Sequence, residues 1–297
     1  MSLWRALREG IAAATRIRAP LVLFYVVYLV AALVLTLPVA AALSSWVGHR
    51  LAANDMARDF DGLLLIEPVL NSNAMLQAGQ ITPGAQAEGR AATSTLLAMG
   101  ATVLVAGPLG ALLNVVLGGG VLLTYVESRF AWQRFLWGAW HWMFSFLVLA
   151  VLLGVCEAFV VTLGAGILVA LEAAHASALT IPTLALMVLV FMALAMAFEY
   201  ARITAVVEGT RNIFRALGHA VAFTVRQPGR ALGLYLLTTA LGLVLISLYS
   251  SLIAPLVPFS WGIAAIALQQ LYIVARLWTW LARWASQMAL YRQGIGA

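Results

Sequence analysis

Charged side chains are scarce in this chain of 297 residues, of which 9% are charged and 64% are hydrophobic. Soluble domains carry about 25% charged and about 45–50% apolar residues. A soluble fold of this length has too little interior to hide so much apolar surface from water. A water-soluble enzyme is therefore excluded, and so is a disordered chain, which has the opposite composition. An integral membrane protein is the remaining class.

Lysine is absent and cysteine occurs once. All 17 basic residues are arginines, and they lie in the gaps between apolar runs. A nucleic-acid-binding protein instead concentrates its positive charge in a soluble patch, so no nucleic-acid partner is expected despite the net charge of +6. Cys156 lies inside an apolar run and has no second cysteine with which to form a disulfide or a metal site.

Reactive motifs are also missing. The chain contains no Walker A sequence, no H-E-x-x-H pair and no G-x-S-x-G nucleophile turn. Asp55, Asp59 and Asp61 lack the spacing of a calcium loop, and His49 alone cannot complete a zinc site. We interpret this acidic group as a solvated face. No catalytic residue, cofactor or metal is therefore expected, and the chain is not expected to be an enzyme.

Six apolar runs reach the length of about 20 helical residues that a bilayer core of about 30 Å requires. They cover 20–43, 95–126, 141–171, 181–198, 231–252 and 259–280. None alternates like a strand, so we expect an all-α transmembrane bundle in which 1–297 forms a single membrane domain. Gly107, Pro108 and Gly110 predict a kink or break in the second run. The third run exceeds one straight span, which predicts tilt or a short outer helix near Gly164 and Gly166.

Arginine is distributed unevenly about these runs. In a six-span arrangement, 14 of the 17 arginines fall on one side, and only Arg50, Arg58 and Arg90 fall on the other. Cytoplasmic segments of membrane proteins are enriched in arginine and lysine. We therefore expect a multi-pass protein of a bacterial inner membrane, with both termini cytoplasmic and an outer, periplasmic loop at about 44–94. The first run is too long for a cleaved signal peptide.

Basic, aromatic and amphipathic segments precede the span pairs, at about 1–19, 127–140 and 199–230. Such segments are typical of helices that lie in the membrane interface and meet anionic lipid headgroups. The candidate lipid-facing residues are Trp4, Arg5, Arg134, Trp137, Arg202, Arg211 and Arg215.

Two of these segments share a pattern. WRAL at 4–7 is followed by RAP at 18–20, and FRAL at 214–217 is followed by RQP at 226–228. WQRFL at 132–136 repeats the pattern without the proline. This similarity indicates either a threefold repeat of interfacial helix, outward span and inward span, or chance similarity among segments rich in arginine, leucine and alanine.

Few polar residues lie inside the apolar runs, and such residues are candidates for function. They are Glu157, Asn114, Gln269, Gln270 and Arg276. Glu157 follows the start of its run by about sixteen residues, which places it roughly 24 Å from the inner surface, in the outer leaflet. It is interpreted either as a proton- or cation-handling carboxylate, with the amides lining a polar path, or as an interface residue, with the amides holding helices together.

Two spacings predict local contacts. Gly110, Asn114 and Gly118 lie four residues apart, which favours close helix packing with one interhelical hydrogen bond. Glu199 and Arg202, like Glu208 and Arg211, are three residues apart, which predicts ion pairs within one helix.

Three segments carry a resemblance: YARITAVVE at 200–208, ASQMALY at 285–291 and FAWQRFLW at 130–137. On these segments the chain resembles a group of six-helix bacterial integral membrane proteins of uncharacterised activity. Its architecture is similar to the membrane region attached to some bacterial glycerophosphodiesterases, without a phosphodiesterase domain. The resemblance implies a six-helix membrane fold and supplies no activity.

These observations favour a structural or accessory subunit, or a scaffold, of a membrane protein complex. Its expected partners are anionic membrane lipids at the inner face and other membrane protein subunits. The alternative is a transporter or channel-like protein for a small solute or lipid, using Glu157, Asn114 and Gln270.

Overall fold

A computed structural model describes residues 3–47, 83–253 and 263–295, and every regular element in these ranges is helical. The α-helices in these ranges are α1 Leu3–Arg16, α2 Ala19–Val47, α3 Pro83–Glu127, α4 Trp132–Ala173, α5 Thr180–Glu208, α6 Ile213–Arg226, α7 Pro228–Leu248 and α8 Ile263–Ile295. A 3-10 turn at Ser177–Leu179 precedes α5, and a π-helical turn at Tyr249–Ile253 follows α7.

Within the described ranges, five helical segments are long and apolar enough to cross a membrane. They are Ala19–Pro38, Leu104–Glu127, Trp132–Ala173, Thr180–Glu208 and Pro228–Ile253. The prediction of an all-helical, multi-pass membrane protein is thereby confirmed at this level. The sixth predicted run, 259–280, coincides with α8 from Ile263 onward. Helix α8 is not among the five, because Gln269, Gln270 and Arg276 interrupt its apolar sequence.

Helix α3 is longer than the sequence predicts. It runs continuously from Pro83 to Glu127 with Pro108 inside it, so a break at 107–110 is wrong, whereas the alternative, a kink there, stays a prediction. Neighbouring groups in membrane bundles often compensate for the hydrogen bond that a proline removes. The polar, glycine-containing segment 77–92, predicted as a loop, is helical from Pro83 onward. Most of the predicted outer loop, 48–82, lies outside the described residues, and so does the acidic group of three aspartates.

Helix α4 is also longer than the sequence predicts. It begins at Trp132, so the aromatic segment predicted as a separate interfacial helix is the first part of α4. The predicted outer helix near Gly164 and Gly166 is wrong as well, because both glycines lie within α4.

Proline explains where the basic segments break. Helices α1 and α6 are both 14 residues long, and each ends shortly before a long apolar helix. Pro20 and Pro228 lie in the first turn of those following helices, where a missing N–H leaves no hydrogen bond unmade. The segment at 127–140 has no proline, and its residues from Trp132 onward form the first part of α4.

The segment predicted as one amphipathic stretch, 199–230, is divided in two. Helix α5 continues to Glu208 with most of its last turns buried, and then ends at Gly209, whose φ of 65° is the left-handed conformation that glycine adopts readily. Helix α6 begins after Asn212, whose side-chain oxygen accepts a hydrogen bond from the Arg215 amide at 3.1 Å. Tyr200, Ile203 and Val206 precede this division and are buried in the core, so the first part of the segment packs against protein as the end of α5.

The chain forms two compact units. The first comprises Met1–Phe24, Ala111–Ile246 and Val274–Ala297, and the second comprises Tyr25–Gly110 and Ser247–Ile273. In the second unit, the Tyr28 hydroxyl donates to the Gly110 carbonyl at 3.2 Å, and the rings of Tyr249 and Tyr272 stack at 4.2 Å.

Glycines allow the helices of the first unit to approach closely. A Cβ on Gly119 would lie 2.6 Å from the Gly138 carbonyl oxygen, and a Cβ on Gly120 would lie 2.6 Å from the Phe135 carbonyl oxygen. Both contacts join α3 to α4 at backbone level, as small residues permit in membrane bundles. Gly118, at the next position of the same run, faces Trp284 of α8.

Candidate functional site

A layer of polar side chains joins α5 to α8 inside the first unit. Glu199 accepts hydrogen bonds on both carboxylate oxygens, from Arg283 Nη2 at 2.7 Å and from Gln287 Nε2 at 2.8 Å. Nine residues further along α5, Glu208 Oε1 accepts from the Tyr291 hydroxyl at 2.6 Å. The two segments 200–208 and 285–291, which carry much of the resemblance, therefore contact each other directly.

The pair formed by Glu199 and Arg283 is largely enclosed. The two side chains are 15% and 19% exposed, and Gln287 is fully buried. The Tyr235 ring of α7 lies beneath the guanidinium of Arg283, with 5.4 Å between the guanidinium carbon and the ring centre. Enclosed charges are tolerated where they are paired and hydrogen-bonded. The arrangement thus holds α5, α7 and α8 together without an unpaired acid.

Glu208 links a fourth helix, α6, to this layer. Its second oxygen, Oε2, lies 2.8 Å from His219 Nδ1 on α6. Burial and the hydrogen bond to Glu208 raise the pKa of Tyr291 to about 12, so its phenol is neutral at physiological pH and donates its proton to the carboxylate. The predicted ion pairs within one helix are wrong, because both glutamates reach residues on other helices.

Arg202 faces the interior instead of lipid. Its guanidinium carbon lies 5.8 Å from the centre of the Phe146 ring on α4, and its Nε is buried with no hydrogen-bond partner among the described residues. The Tyr200 hydroxyl, on the same helix, is also buried without a hydrogen-bond partner among the described residues. The prediction that Arg202 contacts lipid fails because α5 continues into the core at this position.

The other predicted lipid-facing residues are exposed at the helix surfaces. Trp4 and Trp137 are exposed, Arg5 pairs with Glu9 at 3.8 Å, and Arg134 pairs with Glu127 at 3.6 Å. Arg215 is exposed, and Arg211 Nε donates to His141 Nε2 at 3.1 Å. Lipid contact by these residues stays a prediction.

Glu157 lies on α4 near the level of the polar layer. Gly164 of α4 meets Met187 of α5 in this antiparallel pair, so Glu157, seven residues earlier, is level with Leu194. Glu199 is only five residues further along α5, a rise of about 7.5 Å. Glu157 also lies within electrostatic range of the Tyr235 hydroxyl. The predicted place of Glu157 in the outer leaflet stays a prediction.

The remaining intramembrane candidates occupy different surroundings. Asn114 lies in the first unit, and its Oδ1 is buried without a partner in the described part of the chain, so the predicted interhelical hydrogen bond is not formed there. Gln270 lies in the second unit and accepts a hydrogen bond from the Tyr25 hydroxyl at 3.0 Å, whereas Gln269 is exposed. Arg276 is exposed and lines a cavity between α7 and α8.

Arg283, Gln287 and Tyr291 were not singled out as site residues by the sequence patterns. They recur every four residues on α8, which places them on one helix face. That regular polar stripe in an apolar helix is the signal that identifies them.

Within residues 3–47, 83–253 and 263–295, no group of three or more His, Cys, Asp or Glu residues is arranged to hold a metal ion. No protein family, curated protein or solved structure matches the chain. Function is therefore inferred from the chain's own geometry.

Proposed function

We propose that the protein is a non-catalytic accessory or scaffolding subunit of a membrane protein complex. One feature of α4 carries this proposal, a stripe of small residues at four-residue spacing. The stripe consists of Gly154, Ala158, Thr162 and Gly166, all of them exposed. A Cβ on Gly154 or Gly166 would meet no described atom within 4 Å. Thr162 Oγ1 donates to the Ala158 carbonyl at 2.9 Å, so the stripe presents a satisfied hydroxyl.

Small residues at this spacing let membrane helices approach closely and are typical of helix–helix interfaces. Gly119 and Gly138 are used in this way within the chain, because atoms of a neighbouring helix occupy the space beside each glycine. Glycine lowers helix stability by about 1 kcal/mol relative to alanine, and contact with lipid alone offers no compensation. The stripe therefore fits a helix of a partner subunit.

The polar layer supports the absence of catalysis in this proposal. Glu199 and Glu208, the enclosed carboxylates of α5, are held by residues from other helices. Held in this way, they stabilise the bundle and offer no free acid or base for a reaction.

The proposed setting is a bacterial inner membrane. Helix α8 supplies a sixth span in addition to the five apolar helices. Two of its polar residues are held by protein, because Gln270 accepts a hydrogen bond from Tyr25 and Gln287 is buried. With six spans, most arginines and both termini face the cytoplasm, as the positive-inside rule requires. In this arrangement, exposed Trp4, Arg5, Arg211 and Arg215 meet anionic lipid headgroups at the inner face.

The test is purification of the full chain from native bacterial membranes in mild detergent, with measurement of the mass and identity of the complex. Gly154→Leu and Gly166→Leu fill the stripe with apolar atoms that lipid tolerates. We expect each to reduce the partner's stoichiometry at least about tenfold, since overpacking an interface costs about 1–3 kcal/mol.

The matched control is Ile167→Phe, which adds similar bulk about 100° around the helix from Gly166. This residue is also exposed, and its substitution is expected to leave the complex intact. A wild-type protein that leaves native membranes as a lone chain contradicts the proposal. Equal assembly of all variants contradicts the assigned interface.

Transport is the second candidate, because one observation favours it. Glu157 is half-buried and forms no ion pair with any described residue, as a cation-handling carboxylate would require. Proton flux into proteoliposomes that contain a pH-sensitive dye tests this reading. Flux that is lost in Glu157→Gln, while assembly is unchanged, would replace the subunit proposal with transport.

A further inference from the structure

A cavity of about 300 Å³ lies between α7 and α8 in the first unit. Arg276 and Arg283 line it from α8, and Thr239 and Gly242 line it from α7. A Cβ on Gly242 would meet no described atom within 4 Å, so this glycine leaves the space open.

Three donors around the cavity lack partners among the described residues: the Arg276 guanidinium, Arg283 Nε and Thr239 Oγ1. Arg276 forms no ion pair or hydrogen bond with any residue in the described ranges. Arg283 pairs with Glu199 through Nη2. Arg283 Nε and Thr239 Oγ1 are both buried without a hydrogen-bond partner there. Arg283 is paired with Glu199, whereas Arg276 has no acid partner among the described residues, which leaves about one uncompensated positive charge at the cavity. An arginine in a membrane segment requires an anionic or carbonyl partner.

The spacing of the two arginines suits a single anion. They are seven residues apart on α8, which corresponds to two turns and a rise of about 10.5 Å. Two extended arginine side chains can converge on an anion held between these levels, and guanidinium groups bind phosphate oxygens in bidentate fashion.

We propose that this cavity binds the phosphodiester of an anionic membrane phospholipid. The single negative charge of a phosphodiester matches the uncompensated positive charge. The cavity is at the small end of ligand sites, so it holds the headgroup and leaves the acyl chains outside. Leu243 and Ile246 line the same cavity and are exposed, which gives the chains an apolar path beside α7. This inference does not depend on the subunit proposal.

The experiment uses the purified, delipidated full chain in detergent. Binding of short-chain phosphatidylglycerol is measured by native mass spectrometry, with phosphatidylcholine and inorganic phosphate as the other two probes. We expect phosphatidylglycerol to bind with one high-affinity site per chain. Phosphatidylcholine, whose ammonium group is repelled by the arginines, should bind at least about tenfold more weakly.

Two variants remove the site in different ways. Arg276→Gln removes the unpaired charge and should weaken binding by about tenfold to hundredfold. Gly242→Leu fills the cavity without a clash and should weaken binding to a similar extent. Val244→Phe adds the same bulk at an exposed α7 position outside the cavity and should bind as the wild type does. Gel filtration confirms that each variant is folded.

Three results would overturn the assignment. Wild-type affinity in both Arg276→Gln and Gly242→Leu would show that phosphatidylglycerol binds elsewhere. Equal affinity for phosphatidylcholine and phosphatidylglycerol would show that net charge is not recognised. Displacement of the lipid by inorganic phosphate at a similar concentration would show that the site takes a free anion.

Discussion

The two halves of α4 meet their surroundings in opposite ways. Between Phe135 and Leu149, a buried residue occurs in every turn, whereas beyond Leu149 only Gly164 is buried. Both halves are apolar, so composition does not explain the difference. The first half lies against the glycines of α3, which admit its backbone, and the second half presents Gly154 and Gly166 to open space.

This contrast shows what glycine does in a membrane helix. At Gly138 and Gly119 it removes a side chain so that two backbones can touch. At Gly154 and Gly166 it removes a side chain and nothing in the described chain takes the space. In the first half of α4, glycine therefore allows contact with another helix of the same chain. In the second half, Gly154 and Gly166 leave a surface on which no described helix packs.

Gly119→Val should produce the largest effect, because the new side chain would collide with the backbone oxygen of Gly138. A backbone atom cannot rotate away, and overpacking of this kind costs about 3 kcal/mol. We expect a large fall in melting temperature and aggregation on gel filtration. Gly154→Val is the control in the open half, and a similar fall in both variants would abolish the contrast between the halves.

Glu199→Gln tests whether the packed half depends on the polar layer beside it. The substitution leaves Arg283 enclosed without its acid partner, and we expect a loss of about 2 kcal/mol. Thermal unfolding in detergent measures the loss.

The double variant Glu199→Gln with Arg283→Gln should recover part of the lost stability, because position 283 then no longer carries an enclosed charge without its partner. A double variant whose loss equals the sum of the two single losses would show that the residues are not coupled.

Tyr291→Phe should cost about 1 kcal/mol at neutral pH, because Glu208 loses a hydrogen-bond donor. The pKa of Tyr291 is raised above its ordinary value to about 12. A raised pKa stabilises the fold fully below about pH 10, and that contribution is lost as the pH rises toward 12. Melting temperatures of the wild type and variant should therefore converge over this range. A constant difference across it would contradict the assigned hydrogen bond.

The sequence predicts which segments are membrane helices, because an apolar run of sufficient length is a local property. It predicts the first and last residues of each helix less well, because these depend on contacts with neighbouring helices. The sequence places the start of the third span at 141, yet α4 begins at Trp132, since Phe135 and Gly138 pack against α3. Pro108 illustrates the same limit, because a helix breaker in isolation is accommodated within α3.

The polar layer is harder to predict than the helices. Glu199 has an arginine three residues away on its own helix and another 84 residues away on α8, and local spacing favours the nearer one. The structure selects Arg283, because Arg202 turns toward Phe146. Sequence patterns identify which residues are polar in an apolar helix, whereas the choice of partner is made by tertiary packing.

Gly166→Ala should give the smallest change in stability, and it should stabilise the isolated chain where the other substitutions destabilise it. Nothing described lies within 4 Å of the added methyl group, and alanine favours the helix over glycine, so we expect the isolated chain to gain about 0.5 kcal/mol. In native membranes the same methyl group should weaken assembly, because it lies on the small-residue stripe. Thermal unfolding of the purified chain and the mass of the native complex measure the two effects. A gain in chain stability with unchanged assembly would show that the open half of α4 faces only lipid.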